Sequence, residues 1–392
     1  MTEPGIRGKT AIIGVGQSPY YKRGKSPDPA FVLTLRAILN ACADAGIDPR
    51  AIDGFASFSM DRNDPLRMSA ALGLRELRFN SMVWGGGGGG GSAAIAGAAA
   101  AVHGGLAETV VVFRGLAQGA MRFGGAPPAQ YLGGNFAFMA AYGVISPAQQ
   151  YAAKVIRFMH DHGVRQAALR AIALTSYAHA QNNPNAVMYG RPLDAETYDA
   201  SRWIAEPFHL YDCCLESDGA AAVIITSAER ARHLTERPAY ILGAAQGAGY
   251  RTDAGSFNGP DFASSHFASL APRLYAMAGV TPKDVDVVQS YENFTGGVLM
   301  SLVEHGFFTA EEANDFLTPD NLNAMGGKLP LNTSGGNIAE AYIHGMSLIV
   351  EAARQIRGQS PNQVRDAKVS MVTSGPMAAP VSNCILGAEE TL

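Results

Sequence analysis

Three segments of this chain recur in the same order roughly 230 to 250 residues further on, and a duplication of that kind limits topology more tightly than any local pattern. AIIGVGQ at 11–17 returns as YILGAAQ at 240–246, and AGIDPRAIDGFASFS at 45–59 returns as AGVTPKDVDVVQSYE at 278–292. GGGGSAAIAGAAAAVHGG returns as SGGNIAEAYIHGMSLIVEAARQIRGQ: a glycine turn, a long helix, then glycine again. Each half reads as strand, helix, strand, glycine turn, helix, strand. TAIIGVG, IDGFASFS and ETVVVFRG are the strands of the first half; AYILGAAQ, DVDVVQSYE and VSMVTSG are those of the second. The intervening segments predict helices at 29–46 and 264–279, each stopped by a glycine suited to the left-handed cap (Gly46, Gly279). Short apolar strands alternating with helices predict an α/β fold with mostly parallel sheets covered on both faces.

Residues 116–215 have no counterpart in the second half. This stretch carries GGAPPAQYLGGN, predicted helices at 146–162 and 164–182, and the loop NNPNAVMYGRP. It is too long for a simple connection and reads either as a ligand-covering lid or as an excursion that stabilises an oligomer. The organisation expected is a first half over 1–115 and 216–237, an insertion over 116–215, and a second half over 238–392.

A hydrophobic share of 47%, a charged share of 16% and a net charge of −4 describe a well-buried globular chain without a nucleic-acid-binding surface. No apolar stretch is long enough to span a membrane, and Met1 to Lys9 lacks the apolar core of a signal peptide. The four cysteines (Cys42, Cys213, Cys214, Cys384) are too few for a disulfide framework and lack metal-ligand spacing. A reducing cytoplasm is the expectation, with no metal in this chain. His160 and His162 beside Asp161 read as a polar helix end.

Gly85–Gly91 is a run of seven glycines between Met82-Val83-Trp84 and an alanine-rich helix. A flexible linker does not usually lead straight into such a helix, so the run reads as a turn built for close backbone approach.

With these features in place, DCCLESDGAAAVIITSAERA (212–231), LNTSGGNIAEAYIHG (331–345) and QSYENF (289–294) resemble motifs of the thiolase superfamily. The resemblance covers nearly the whole chain. It implies a thiolase fold, two βαβαβ halves stacked as five α-β-α-β-α layers. The departures are informative. Where thiolases hold a nucleophilic cysteine at a helix N-terminus, this chain has Gly88, and the two catalytic histidines fall on Tyr342 and Tyr291. The second thiolase cysteine falls near Val372 or Thr373. That set is similar to the lipid-transfer-protein branch, the acyl-CoA retro-aldolases of steroid side-chain degradation. It implies a lyase that cleaves the Cα–Cβ bond of a β-hydroxyacyl-CoA, a steroid or bile-acid side-chain thioester, without a covalent intermediate. It also implies a homodimer within an α2β2 complex, the partner being a zinc-bearing DUF35/OB-fold protein.

Retro-aldol cleavage needs a group that takes the β-hydroxyl proton and donors that stabilise the thioester enolate. Tyr342 and Tyr291 are the candidate proton carriers. A free tyrosine has a pKa of about 10, so each needs activation or must act as a relay. Glu292 and His344 are candidates to tune them, and the backbone around Gly88 and Gly375 to form the oxyanion hole. The plainer readings are a core aromatic on a helix at 338–349 for Tyr342, a solvated strand-end carboxylate for Glu292, and a contact on a different helix face for His344. Removal of a side chain at Gly88 is expected to clear space for a bulky substrate carbon. Two further functions fit the same residues: a non-catalytic acyl-CoA- or lipid-binding subunit, and an acyltransferase of thiolase type using Cys213 or Cys214.

Overall fold

The computed structural model describes residues 5–85, 87–117, 119, 135–249, 252 and 261–392; most of GGAPPAQYLGGN lies outside them. The first half runs β1 (Thr10–Gln17), β2 (Tyr21–Lys22), α1 (Ala30–Ala45), β3 (Gly54–Phe58), α2 (Pro65–Leu72), β4 (Phe79–Val83), α3 (Gly91–His103) and β5 (Thr109–Leu116). Then come α4 (Asn135–Ala140), α5 (Pro147–His162), α6 (Gln166–Ala180), α7 (Ala195–Asp199), β6 (Trp203–Ala205) and β7 (Phe208–His209). The chain returns through β8 (Ser217–Ser227) and α8 (Ala228–Leu234). The second half is β9 (Ala239–Gly247), α9 (Ala271–Ala278), β10 (Val287–Ser290), α10 (Thr295–Glu304), α11 (Ala313–Phe316), α12 (Pro319–Leu322), α13 (Met346–Arg357), β11 (Val369–Ser374) and β12 (Val381–Gly387).

The principal sheet has the order β10-β11-β12-β9-β1-β8-β5-β3-β4. Read outward from the central β9–β1 pair, both halves use the same pairing scheme. β9–β12 and β1–β8 are antiparallel, β12–β11 and β8–β5 are antiparallel, and β11–β10 and β5–β3 are parallel. The two halves therefore share one order of antiparallel and parallel neighbours. The sheet is mixed, which corrects the mostly parallel arrangement expected from strand–helix alternation. β12 follows β11 by a direct turn and β8 returns from the insertion, and each runs opposite to both its neighbours.

Consecutive strand residues divide between two cores. Ile13, Val111 and Leu242 face α1 and α9 with Leu33, Ile38 and Leu274, whereas Ile12, Val110, Val112 and Ile241 face α3 and α13. Both of these inner helices touch strands of both halves. α3 is built mostly of alanine and glycine because it is buried on most sides and the surrounding strands come close. α1 and α9 end at Gly46 and Gly279 in the left-handed conformation, as their sequences require. α9 is shorter than expected, with 264–270 lying outside the helix. α5 begins at a complete capping box from Ser146 to Gln149. Among the described residues no helix is long and apolar enough to cross a membrane.

The expected helix at 338–349 is not formed. Gly336–Glu340 makes one wide turn, Ala341 is extended, and α13 starts only at Met346. Gly335, Gly336, His344 and Gly345 all have positive φ, which no right-handed helix accommodates. Tyr342 therefore sits in a short non-helical link between two turns.

Gly97 lies inside α3 with open space where a Cβ would be. Gly97→Ala should raise stability by about 0.5–1 kcal/mol, read as an increased urea midpoint at unchanged slope.

Candidate active site

The glycine turn before α3, the segment after β10, the link bearing Tyr342 and the turn after β11 meet around one cavity of about 520 Å³. Gly87, Gly88, Tyr291, Asn293, Tyr342 and Gly375 form its inner end. The insertion supplies Pro147, Ala148 and Tyr151 from α5, with Arg202, Ile204 and Leu210. Cys213 to Glu216 complete the wall. The fold thus brings Tyr291, Tyr342, Gly88 and Gly375 together on one cavity.

The two tyrosines are directly linked. The Tyr291 hydroxyl donates to the Tyr342 hydroxyl at 2.8 Å, and their rings meet at 68° with centroids 6.0 Å apart. Both are buried. Main-chain bonds hold them: Tyr291 N–H donates to Thr373 O at 3.2 Å, and Tyr342 N–H to Ser217 Oγ at 3.2 Å. Burial pushes the phenol of Tyr291 upward, and its bond to Tyr342 and a backbone contact with Gly88 only partly oppose this. Tyr342 is also held well above the ordinary value, first by burial and then by Tyr291 itself. The pair is neutral at physiological pH.

Gly88 explains how the pair fits. A Cβ there would lie 2.0 Å from Tyr291 Cε2 and 2.8 Å from His344 O, so the position accepts no side chain while Tyr291 keeps its place. The space expected to be cleared for substrate is filled by the Tyr291 ring, a correction to the sequence reading. Gly375, at φ +70°, would place a Cβ 2.3 Å from Gly89 Cα, so the two turns pack backbone to backbone. The first N–H groups of α3 are bound by serines: Ser92 N–H to Ser374 Oγ at 3.2 Å and Ala93 N–H to Ser382 Oγ at 3.1 Å.

His344 is buried beside Tyr342 rather than turned to a different helix face, because the segment that carries both is not helical. Arg114 reaches its Nδ1 from Nε at 3.2 Å and from Nη2 at 3.1 Å. Guanidinium only donates, so Nδ1 is the acceptor and the ring proton sits on Nε2. Burial and the adjacent Arg114 charge hold His344 well below its ordinary pKa, which keeps it neutral. Its ring stands edge-on to Tyr342 at 5.2 Å. Arg114 is in turn anchored by buried Asp61 at 2.8 Å.

Glu292 does not line the cavity and is not solvated, which corrects the expected strand-end exposure. The turn of the Asn-x-Ser-Gly-Gly motif folds over it: Asn332 Nδ2 donates to Oε1 at 2.6 Å, and a Cβ on Gly336 would fall 1.8 Å from that oxygen. Burial lifts its pKa to about 8, with Glu340 adding to the rise. Cys213 and Cys214 line the cavity, but burial raises both thiols, the reverse of what a nucleophilic sulfur needs.

Three residues at or behind the cavity are absent from the sequence expectations. Arg114 and Asp61 form the ion pair behind His344, and an arginine inside the apolar strand ETVVVFRG was the available signal. Tyr151, on α5, gave none, because one tyrosine in an amphipathic helix is ordinary.

Residues 249–388 match the family model described as Thiolase C-terminal domain-like. The chain is 38% identical over 397 residues to the steroid side-chain-cleaving aldolase of Thermomonospora curvata, covering 98% of this chain and 99% of that one. It is 39% identical over 390 residues to the 17-hydroxy-3-oxo-4-pregnene-20-carboxyl-CoA lyase of Mycobacterium tuberculosis, covering 97% and 100%. The solved Ltp2-ChsH2(DUF35) aldolase superposes with a TM-score of 0.91 at 38% identity, over 99% of this chain and 100% of that one.

Two measurements probe this geometry. Gly88→Ala should displace Tyr291 and lower cleavage at least tenfold while the far-ultraviolet circular dichroism stays native, because the new methyl meets an aromatic ring rather than open space. Glu292 yields a pH signature. A carboxyl raised above its unfolded value of about 4.3 favours the folded state fully below that value, and this contribution is lost as pH rises through about 8. The urea midpoint should therefore fall between about pH 5 and 8 in the wild type, level off above that, and fall less in Glu292→Gln.

Proposed function

The chain belongs to the thiolase superfamily, alongside its steroid side-chain-cleaving aldolases, and on that footing we propose that it is a carbon–carbon lyase cleaving a β-hydroxyacyl-CoA with a steroid or bile-acid side chain. The observation that carries this reading is the neutral Tyr291–Tyr342 hydroxyl pair at 2.8 Å, lying where Gly88 leaves no nucleophile. The substrate's β-hydroxyl gives its proton to one tyrosine oxygen. That tyrosine passes its own proton to the second, and the second protonates Cα. The Cα–Cβ electrons flow into the thioester, whose enolate oxygen is met by backbone donors at the Gly88 and Gly375 turns. A ketone and a shortened acyl-CoA leave, and no water, cofactor or charged tyrosine is consumed. Such a relay suits two phenols held above their ordinary pKa, since neither has to ionise. His344, fixed in one tautomer by Arg114, orients Tyr342; Glu292 braces the strand end that carries Tyr291.

The two halves and the 116–215 insertion serve as frame and cover, with α1 and α9 on the outer faces and α3 and α13 between the halves of the sheet making five α-β-α-β-α layers. β4 ends the sheet with its outer edge unpaired among the described residues, next to exposed Trp84 and Met82, which supports a homodimer. A DUF35 partner, as in the solved Ltp2-ChsH2(DUF35) aldolase, completes an α2β2 assembly, and zinc belongs to that partner. A cytoplasmic location fits the free, unpaired cysteines.

The test uses 17-hydroxy-3-oxo-4-pregnene-20-carboxyl-CoA with the co-expressed complex, following ketone and acyl-CoA release. Tyr291→Phe and Tyr342→Phe should each lower kcat by about 10²–10⁴, whereas Cys213→Ala and Cys214→Ala should each keep cleavage within about tenfold, because the reaction needs no thiolate. Full cleavage by both phenylalanine variants would overturn the assigned roles.

A further inference from the structure

The cavity holds a third tyrosine that the relay does not use. Tyr151 projects from α5 of the insertion, so it faces the glycine turns from a part of the chain with no counterpart in the second half. Its ring rests on Phe294 with centroids 5.6 Å apart. Its hydroxyl has no hydrogen-bond partner among the described residues, whereas those of Tyr291 and Tyr342 bind one another. It is close enough to the pair that a charge on it would raise both phenols. Burial alone lifts it to about 12, so it too is a neutral donor.

The reacting centre of a β-hydroxyacyl-CoA has two oxygens with different needs. The thioester oxygen gathers charge and is met by backbone donors. The β-oxygen must release its proton in one direction, toward the tyrosine pair, as it becomes a carbonyl. A hydroxyl that is free to rotate does not do this reliably; a second donor on its lone pair fixes its direction. A Cβ on Gly87 would stand 3.7 Å from the Tyr291 oxygen and 3.8 Å from the Tyr342 oxygen, which places the pair on the glycine side of the cavity. Tyr151 approaches from the α5 side, where an otherwise largely apolar wall of Pro147, Ala148 and Ile204 suits a ring-bearing carbon.

We propose that Tyr151 donates a hydrogen bond to the substrate's β-oxygen, aims its proton at the Tyr291–Tyr342 pair, and thereby selects hydroxylated over deoxy acyl-CoA thioesters. The inference rests on the retro-aldol reading above. It assigns the insertion a part in substrate recognition as well as in covering the site.

Tyr151→Phe keeps the ring and its contact with Phe294, so the variant isolates the hydroxyl. In the partner complex, kcat/KM for 17-hydroxy-3-oxo-4-pregnene-20-carboxyl-CoA should fall about 10- to 100-fold. The inhibition constant of the matching 17-deoxy thioester, which cannot react, should stay within about twofold. An unchanged kcat/KM overturns the inference and leaves the aldolase reading standing. A parallel rise in the inhibition constant overturns it as well, since the residue would then act through packing alone. A wild-type complex that cleaves no β-hydroxyacyl-CoA removes the reading and this inference together.

Discussion

The ring of Tyr291 occupies the volume a Cβ on Gly88 would need, and much of the site's arrangement follows from that exclusion. Without a side chain at Gly88, the turn before α3 lies flat against the ring and its neighbours pack on the Gly375 turn backbone to backbone. With the ring seated there, the Tyr291 hydroxyl meets that of Tyr342. A helix N-terminus that in a thiolase would stabilise a thiolate here meets serine hydroxyls from the second half. The bare backbone at Gly88 and the seating of the tyrosine pair are one steric arrangement.

Burial then sets the electrical state. Tyr291, Tyr342 and His344 are all held neutral by removal from water, and for His344 the neighbouring Arg114 charge adds to this. Arg114 spends its charge on Asp61 and on His344 Nδ1, so it fixes a tautomer instead of ionising a phenol. A proton relay between neutral hydroxyls is the chemistry such an environment permits most readily. It has no use for the cysteines on the opposite wall, whose thiols are also kept protonated.

The repeats at 11–17 and 240–246, and at 45–59 and 278–292, gave the strand–helix order of both halves, because apolar alternation and glycine caps are local properties. They did not give strand direction. β8 and β12 read like any other buried strand, and only their return between existing neighbours makes the sheet mixed. The apolar spacing of 338–349 is helical, but extended Ala341 and the positive φ of His344 and Gly345 divide it. Tyr342, Tyr291, Gly88 and Gly375 were legible through the motifs that carry them, while Arg114, Asp61 and Tyr151 come from segments distant in sequence that share no motif.

The sequence by itself determined the duplicated α/β frame, the absence of a cysteine before α3 and the presence of tyrosines at the two histidine positions. These are matters of residue identity and local spacing. Only the tertiary structure decided that the Tyr291 ring fills the place of the missing side chain, that Glu292 is buried behind the cavity, and that α5 closes the opposite wall. Those outcomes depend on which surfaces exclude water together, and that is settled by packing between elements more than a hundred residues apart.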